Sequence, residues 1–212
     1  MEFLNNEYLG NSLTDYIYFL TSFLVGLLLI IPFRLLISKL LFRLFGKDNN
    51  QNDNDQFISL LKKPLRYFLI LLVLYFSTQF LSLPDFLISS NENGFELSKY
   101  LDKGYNLLLL ITIFWIINRS IDFIGFKLKN KASQTEGKVD DQLIPFAIDI
   151  AKVLTIVFGI VMILGNVFDV NVTALVTGLG IGGVAFALAS KESLENLLGS
   201  FTIFFDKPFT VG

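Results

Sequence analysis

The residues best able to act as a group lie in GLGIGGVAFALASKESLENLLGS, Gly178 to Ser200. Its first half is glycine, alanine and larger apolar residues; its second half carries Lys191, Glu192 and Glu195. The first half offers no covalent chemistry. Its capacity is physical: small faces let helices press together in a membrane, and rings of apolar side chains stop ions by excluding water. On a helical wheel Gly180, Gly183 and Ala187 share one flank. Gly178, Gly182, Ala185 and Ala189 share another, roughly opposite. One small flank suits a dimer, whereas two suit a ring in which each helix meets two neighbours. Between the flanks run Ile181, Val184 and Leu188, with Leu179 and Phe186 on the far side. This pattern predicts Val184 and Leu188 on the ring axis, as the constriction. The plainer alternative is packing inside a monomeric bundle. Glycine weakens a helix, so this many calls for close packing of some kind.

Other candidate groups are few. The chain has no cysteine and no histidine, which excludes disulfides, thiol chemistry and the usual zinc sites. No metal or cofactor is expected. Asp140 and Asp141 read as solvated acids at a helix start rather than metal ligands. Asp149 and Lys152, three apart, read as an intrahelical pair and as the nearest thing to buried transporter ligands. With 17 basic and 19 acidic residues, the chain does not read as a nucleic-acid binder.

These residues need elements to hold them, and composition points to a membrane. Of 212 residues 53% are hydrophobic and 17% charged, and the mean hydropathy is +0.60. Five apolar runs are expected to cross: 16–37, 65–83, 105–124, 144–164 and one beginning at Val172 and apolar to Ala189. Arg34, Lys39, Arg43, Lys47, Lys62, Lys63 and Arg66 surround the first connection, and Lys127, Lys129, Lys131 and Lys138 mark the third. The positive-inside rule then predicts an external N-terminus and a cytoplasmic C-terminus. The acidic N-terminus has no basic stretch before its apolar run, so a cleaved signal peptide is not expected. Residues 46–56 and 130–142 read as flexible polar stretches.

Beyond Ser190 the pattern changes to an amphipathic helix. Leu194, Leu197, Leu198, Phe201, Phe204 and Phe205 fill one arc; Lys191, Glu192, Glu195, Asn196, Gly199 and Thr202 fill most of the other. Ser190, Lys191 and Gly199 are the hinge candidates. In a ring, Lys191 and Glu192 would stand along the permeation path below the apolar constriction. Their plainer role is the solvated end of a span.

The stretch from Gly178 to Ser200, followed by FDKPFTVG, resembles the pore-lining helix of the MscS-type small-conductance mechanosensitive channels. Leu194, Glu195, Asn196 and Gly199 match the family's middle element, with glutamate where serine is common. Asp206, Lys207, Pro208, Phe209 and Gly212 match its exit to a cytoplasmic β-domain, with lysine where arginine is common. The likeness covers about 35 residues. It implies a homo-heptamer opened by membrane tension, with Val184 and Leu188 at the constriction positions and valine smaller than the more familiar leucine. It also implies that Gly180, Gly183 and Ala187 pack on Ala185 and Ala189 of a neighbour. Gly199 matches one bend position, and Glu192 replaces the glycine of the other. Lys191–Glu192 resembles the basic–acidic pair of the five-helix bacterial subtype.

The expected architecture is therefore all-α and integral to the membrane, with five transmembrane helices per subunit and the cytoplasmic β-domain absent from this chain. Residues 1–128 are peripheral lipid-facing helices and 129–142 a cytoplasmic linker. Residues 143–168 are a fourth, sensor helix, 172–205 the pore helix with its amphipathic continuation, and 206–212 the start of the link to the β-domain. The expected function is passive flow of ions and small osmolytes under hypo-osmotic stress. The expected setting is a bacterial inner membrane, with lipids, permeant ions and identical subunits as partners, and no enzymatic activity. The rival readings are a secondary transporter and a non-conducting oligomeric scaffold.

Overall fold

Ser12 donates its backbone N–H to Asp15 Oδ2 at 2.9 Å, and Asp15 returns its own N–H to Ser12 Oγ at 3.4 Å. This reciprocal capping box opens the first helix. In the computed structural model, which describes residues 7–45, 51–82, 97–132 and 140–206, the chain is helical except for one small hairpin and its connections. Strands β1 (Glu7–Tyr8) and β2 (Asn11–Ser12) pair antiparallel, Tyr8 opposite Asn11. The two turn residues between them, Leu9 and Gly10, both have positive φ, 54° and 78°. That is the mirror-image turn whose twist suits a two-residue hairpin. The hairpin is an addition to the all-α architecture expected from sequence.

Two compact units follow, one reaching Asp169 and one starting at Val170. The first holds α1 (Leu13–Phe45), α2 (Gln51–Thr78), α3 (Leu97–Ala132) and α4 (Asp140–Asn166). Consecutive helices pack: α1 on α2, α2 on α3, α3 on α4. Their contacts fix an antiparallel register. Gly26 lies against Val73, and Phe42 meets Phe57, so α1 and α2 run in opposite directions. Phe57–Phe123, Tyr67–Trp115 and Tyr75–Tyr105 order α2 against α3 in the same way. Gly125 against Ile148 and Gly159 against Phe114 do so for α3 and α4.

The core of this unit is small and sits at one end. Phe42, Phe57 and Phe123 meet with ring centroids 4.6–5.9 Å apart, joined by Leu61 and Leu65. Tilted and edge-on rings are favourable at such distances, and here they tie three helices together. Most other large apolar side chains face outward. A chain whose solvent is lipid keeps such an exterior.

Among the described residues four helices are long and apolar enough to cross a membrane: α1 over Leu13–Arg43, α3 over Leu97–Asn130, α4 over Leu143–Asn166, and the Val172–Ala189 helix of the second unit. In α2 the described residues beyond Arg66 number about a dozen, ~18 Å of helix. The expected second crossing, 65–83, is thus helical as far as Thr78, turns out of the helix over 79–82, and leaves the described residues at Leu83.

Some expectations need correction. The polar stretch 46–56 is not all linker, because Gln51–Gln56 form the first turns of α2. Asp53 and Asp55 stand near that helix's N-terminus, where its dipole favours acids. Likewise the 129–142 linker is helical at both ends: α3 runs on to Ala132 and α4 starts at Asp140, while 133–139 lie outside the described residues. Lysines toward the end of α3 suit that end of the helix dipole.

Candidate functional site

The second unit contains α5 (Val172–Ala189) and α6 (Lys191–Asp206). Asn171 caps α5, its Oδ1 accepting the Ala174 N–H at 3.1 Å. The helix has no charged residue, and none of its residues is buried. Four of its residues are glycine, which by propensity alone forgoes about 2–4 kcal/mol relative to alanine.

The glycines fall into two kinds. In the first unit three sit in helix seams: a Cβ on Gly26 would meet Val73 at 2.5 Å, one on Gly159 would meet Phe114 at 3.0 Å, and one on Gly125 would collide with Ile148, whereas one on Gly104, near the start of α3, would meet nothing within 4 Å. In α5, a Cβ on Gly178, Gly180, Gly182 or Gly183 would meet nothing within 4 Å, and the same holds for Gly199 in α6. Ala185, Ala187 and Ala189 are exposed as well.

Several of the sequence-selected residues come together on one face. Gly180, Ile181, Val184, Ala185 and Leu188, with Thr177, border a single shallow groove along α5. Val184 and Leu188 are 62% and 71% exposed. Leu179 and Phe186, predicted to point elsewhere, are exposed outside that groove.

Between α5 and α6 the interruption is one residue long. Ser190 donates its N–H to Phe186 O at 2.9 Å, and its own carbonyl accepts from Leu194 N–H at 3.0 Å. The span 172–205, expected as a pore helix with an amphipathic continuation, is two helices that meet at Ser190. α6 is continuous through Gly199 and ends at Asp206. Lys191 Nζ lies 3.7 Å from Glu195 Oε1, one turn on, and both side chains are well exposed. Glu192 stands in the first turn of α6. Lys207, Pro208, Phe209 and Gly212 lie outside the described residues.

The α3–α4 hairpin is braced by charge at one end and near the middle of α4. At one end Lys103 donates to Asp169 Oδ2 at 2.6 Å. That hydrogen bond, then the charge of Lys103, holds the Asp169 carboxyl below its ordinary value. Asp169 has φ 56°, a left-handed conformation that aspartate tolerates better than most residues. Near the middle of α4, Lys152 pairs with Asp122, which also accepts from Arg119 Nη1 at 2.9 Å. This corrects the expected Asp149–Lys152 pair: the partner of Lys152 is across the seam, and Asp149 is exposed on α4. Sequence reading did not find Asp122 as a junction. The local Arg119–Asp122 spacing of three was its only signal. Among the described residues no cluster of acidic side chains could hold a metal ion.

Residues 149–191, from within α4 through α5 to the first residue of α6, match the family described as "Mechanosensitive ion channel, transmembrane helices 2/3". The chain is 28% identical over 209 residues to the small-conductance mechanosensitive channel MscMJ of Methanocaldococcus jannaschii, covering 99% of this chain and 57% of that protein. It is 28% identical over 205 residues to the large-conductance mechanosensitive channel MscMJLR of the same organism, 95% of this chain and 53% of that one. It is 27% identical over 189 residues to the uncharacterized MscS family protein YhdY of Bacillus subtilis, 88% and 48% respectively. No solved structure matches. Over most of its length the chain is thus similar to MscS family proteins, two of them named as mechanosensitive channels. The chain spans about half the length of the curated relatives it matches.

Proposed function

We propose that this chain is membrane-embedded sequence of a mechanosensitive channel subunit, opened by membrane tension and passing ions and small osmolytes. The observation carrying this reading is the contrast between seam glycines that press on helices of their own chain and α5 glycines that face open space. Open small flanks fit neighbouring copies of α5 arranged in a ring, with seven copies as the family likeness implies. Val184 and Leu188 then face the axis one turn apart, as an apolar constriction.

The remaining assignments belong to the same proposal. Five helices cross, α2 among them, held between α1 and α3 with Lys62, Lys63 and Arg66 reaching to the interface. The basic connections lie in the cytoplasm, the N-terminus outside, and the membrane is the cytoplasmic one. Ser190 and Gly199 are the flexible points, and Lys191 and Glu192 flank the conduction path. Tension does work on the change in membrane footprint and so shifts the population toward a wider ring. No covalent step is involved.

Patch recording of the full-length protein in liposomes under controlled suction tests the proposal. Stepwise currents with a tension threshold are expected. An assembled protein that stays silent under tension is a scaffold, and saturable flux without steps indicates a transporter; either result ends the channel reading.

A further inference from the structure

The seam between α1 and α2 holds an apolar cavity of about 310 Å³, bordered by Gly26, Ile30 and Phe33 on α1 and by Leu69, Val73 and Phe76 on α2. That size lies within the ~300–1,000 Å³ of ligand pockets. Two hydroxyls also border it, that of Ser22, which donates to Phe19 O at 2.9 Å, and that of the buried Ser77.

The seam turns polar beyond Ile30. Arg34 and Ser38 follow at successive four-residue steps, on the same face of α1. Arg34 Nε and Ser38 Oγ are both buried without a hydrogen-bond partner, and Ser38 has no exposed surface. No ion pair to Arg34 occurs among the described residues. A buried donor of a charged group left without an acceptor is expensive, and because Arg34 as a whole is only half-buried, an acceptor from outside the chain can reach the rest of its guanidinium.

The surroundings define that acceptor. The α1–α2 register set by Gly26–Val73 and Phe42–Phe57 puts Arg34 level with Leu65 and Arg66. Lys39, Arg43, Lys62, Lys63 and Arg66 are exposed around this end. Among the described residues the acids toward this end are Asp53 and Asp55 in the first turns of α2, about two turns beyond Lys62, and Asp122, already paired with Arg119 and Lys152. The acceptor site is therefore cationic, and Arg34 stands one helical turn beyond Ile30 of the cavity wall.

We propose that this seam binds an anionic phospholipid. One acyl chain lies in the cavity and the phosphate accepts from Arg34, with Arg66 at the same level. From Phe33 to Ser22 the cavity wall runs about 16 Å along α1, enough for most of an acyl chain. The guanidinium fork matches phosphate oxygens, and the surrounding lysines favour a lipid of net negative charge over a zwitterionic one. This inference rests on the chain lying in a membrane and not on the channel reading.

The test uses the full-length protein, purified in detergent and stripped of its own lipid. It is loaded with phosphatidylglycerol or phosphatidylcholine of equal chain length, and retained lipid is counted by native mass spectrometry. Phosphatidylglycerol is expected to be retained about tenfold better. Arg34→Gln removes that preference and Arg34→Lys keeps most of it. Leu29→Trp, which fills the cavity from the exposed side of α1, lowers retention of both lipids. Equal retention of both lipids by the unaltered protein, or an undiminished preference in Arg34→Gln, overturns the headgroup assignment. Unchanged retention in Leu29→Trp overturns the acyl-chain placement. Displacement of the lipid by an equal concentration of glycerol phosphate marks a soluble-phosphate site and also overturns the proposal. Oligomer mass read in the same spectra separates these outcomes from misfolding.

Discussion

Lys152 of α4 forms an ion pair with Asp122 of α3, and Arg119 holds the same carboxylate at 2.9 Å. One acid thus serves two cations at the seam between the helices that lead toward α5. The three side chains are 22–44% exposed, between a surface pair and a buried one.

Asp122→Asn is therefore expected to lower stability by about 1–2 kcal/mol, between the limits for exposed and buried pairs. Thermal unfolding in detergent reads this. A double-mutant cycle with Lys152→Met should show coupling, whereas additive effects would mean that the pair contributes nothing.

Val184→Asp and Leu188→Ser should each raise resting conductance, because a polar side chain lets water into an apolar constriction. Single-channel recording without applied tension checks this in the full-length protein. Unchanged conductance in an assembled channel removes these residues from the axis.

The two kinds of glycine predict opposite defects. Gly26→Ala puts a methyl into Val73 and should destabilise the α1–α2 pair by about 1–3 kcal/mol. Gly183→Leu meets open space in its own chain and should leave subunit stability intact while weakening assembly or shifting the tension threshold. Oligomer mass and threshold both unchanged in Gly183→Leu would defeat the proposed packing between subunits.

Lys191→Glu should change the anion-to-cation preference if the first turn of α6 borders the permeation path. Reversal potential across a salt gradient measures it, and no shift moves Lys191 away from that path. The exposed Lys191–Glu195 pair adds little to stability by itself, so a folding defect is not expected.

Acid should loosen the Lys103–Asp169 brace. The Asp169 carboxyl is held below its ordinary value of 3.8, first by the hydrogen bond from Lys103. The stabilisation is then fully present above that value and lost as pH falls through the depressed one. Asp169→Asn should remove this part of the acid dependence. An identical acid response in the variant, followed by hydrogen exchange at the start of α3, would rule the brace out as its source.

Much of the helical plan is legible in the residues because lipid imposes long apolar runs. The runs at 16–37, 105–124 and 144–164 fall inside α1, α3 and α4. The Gly178–Ala189 stretch is legible for a different reason: its glycines have no local purpose, so their spacing points to packing. Residues 51–56 mislead because polar composition resembles a linker, while acids near a helix start are also good helix entry residues. The partner of Lys152 is not legible, since Asp122 lies thirty residues upstream and meets it only once α3 and α4 are in register. The orphaned polar atoms of Arg34 and Ser38 need atomic packing to be seen at all.

The far end of the α1–α2 pair is closed by one amide. Asn11 Nδ2 donates to Ser82 O at 2.7 Å, and Asn11 Oδ1 accepts the Ser82 backbone N–H at 2.7 Å. The side chain therefore imitates a strand partner for the chain leaving α2, and residues 11 to 82 form a closed circuit. A pull on this end of either helix is therefore shared by both.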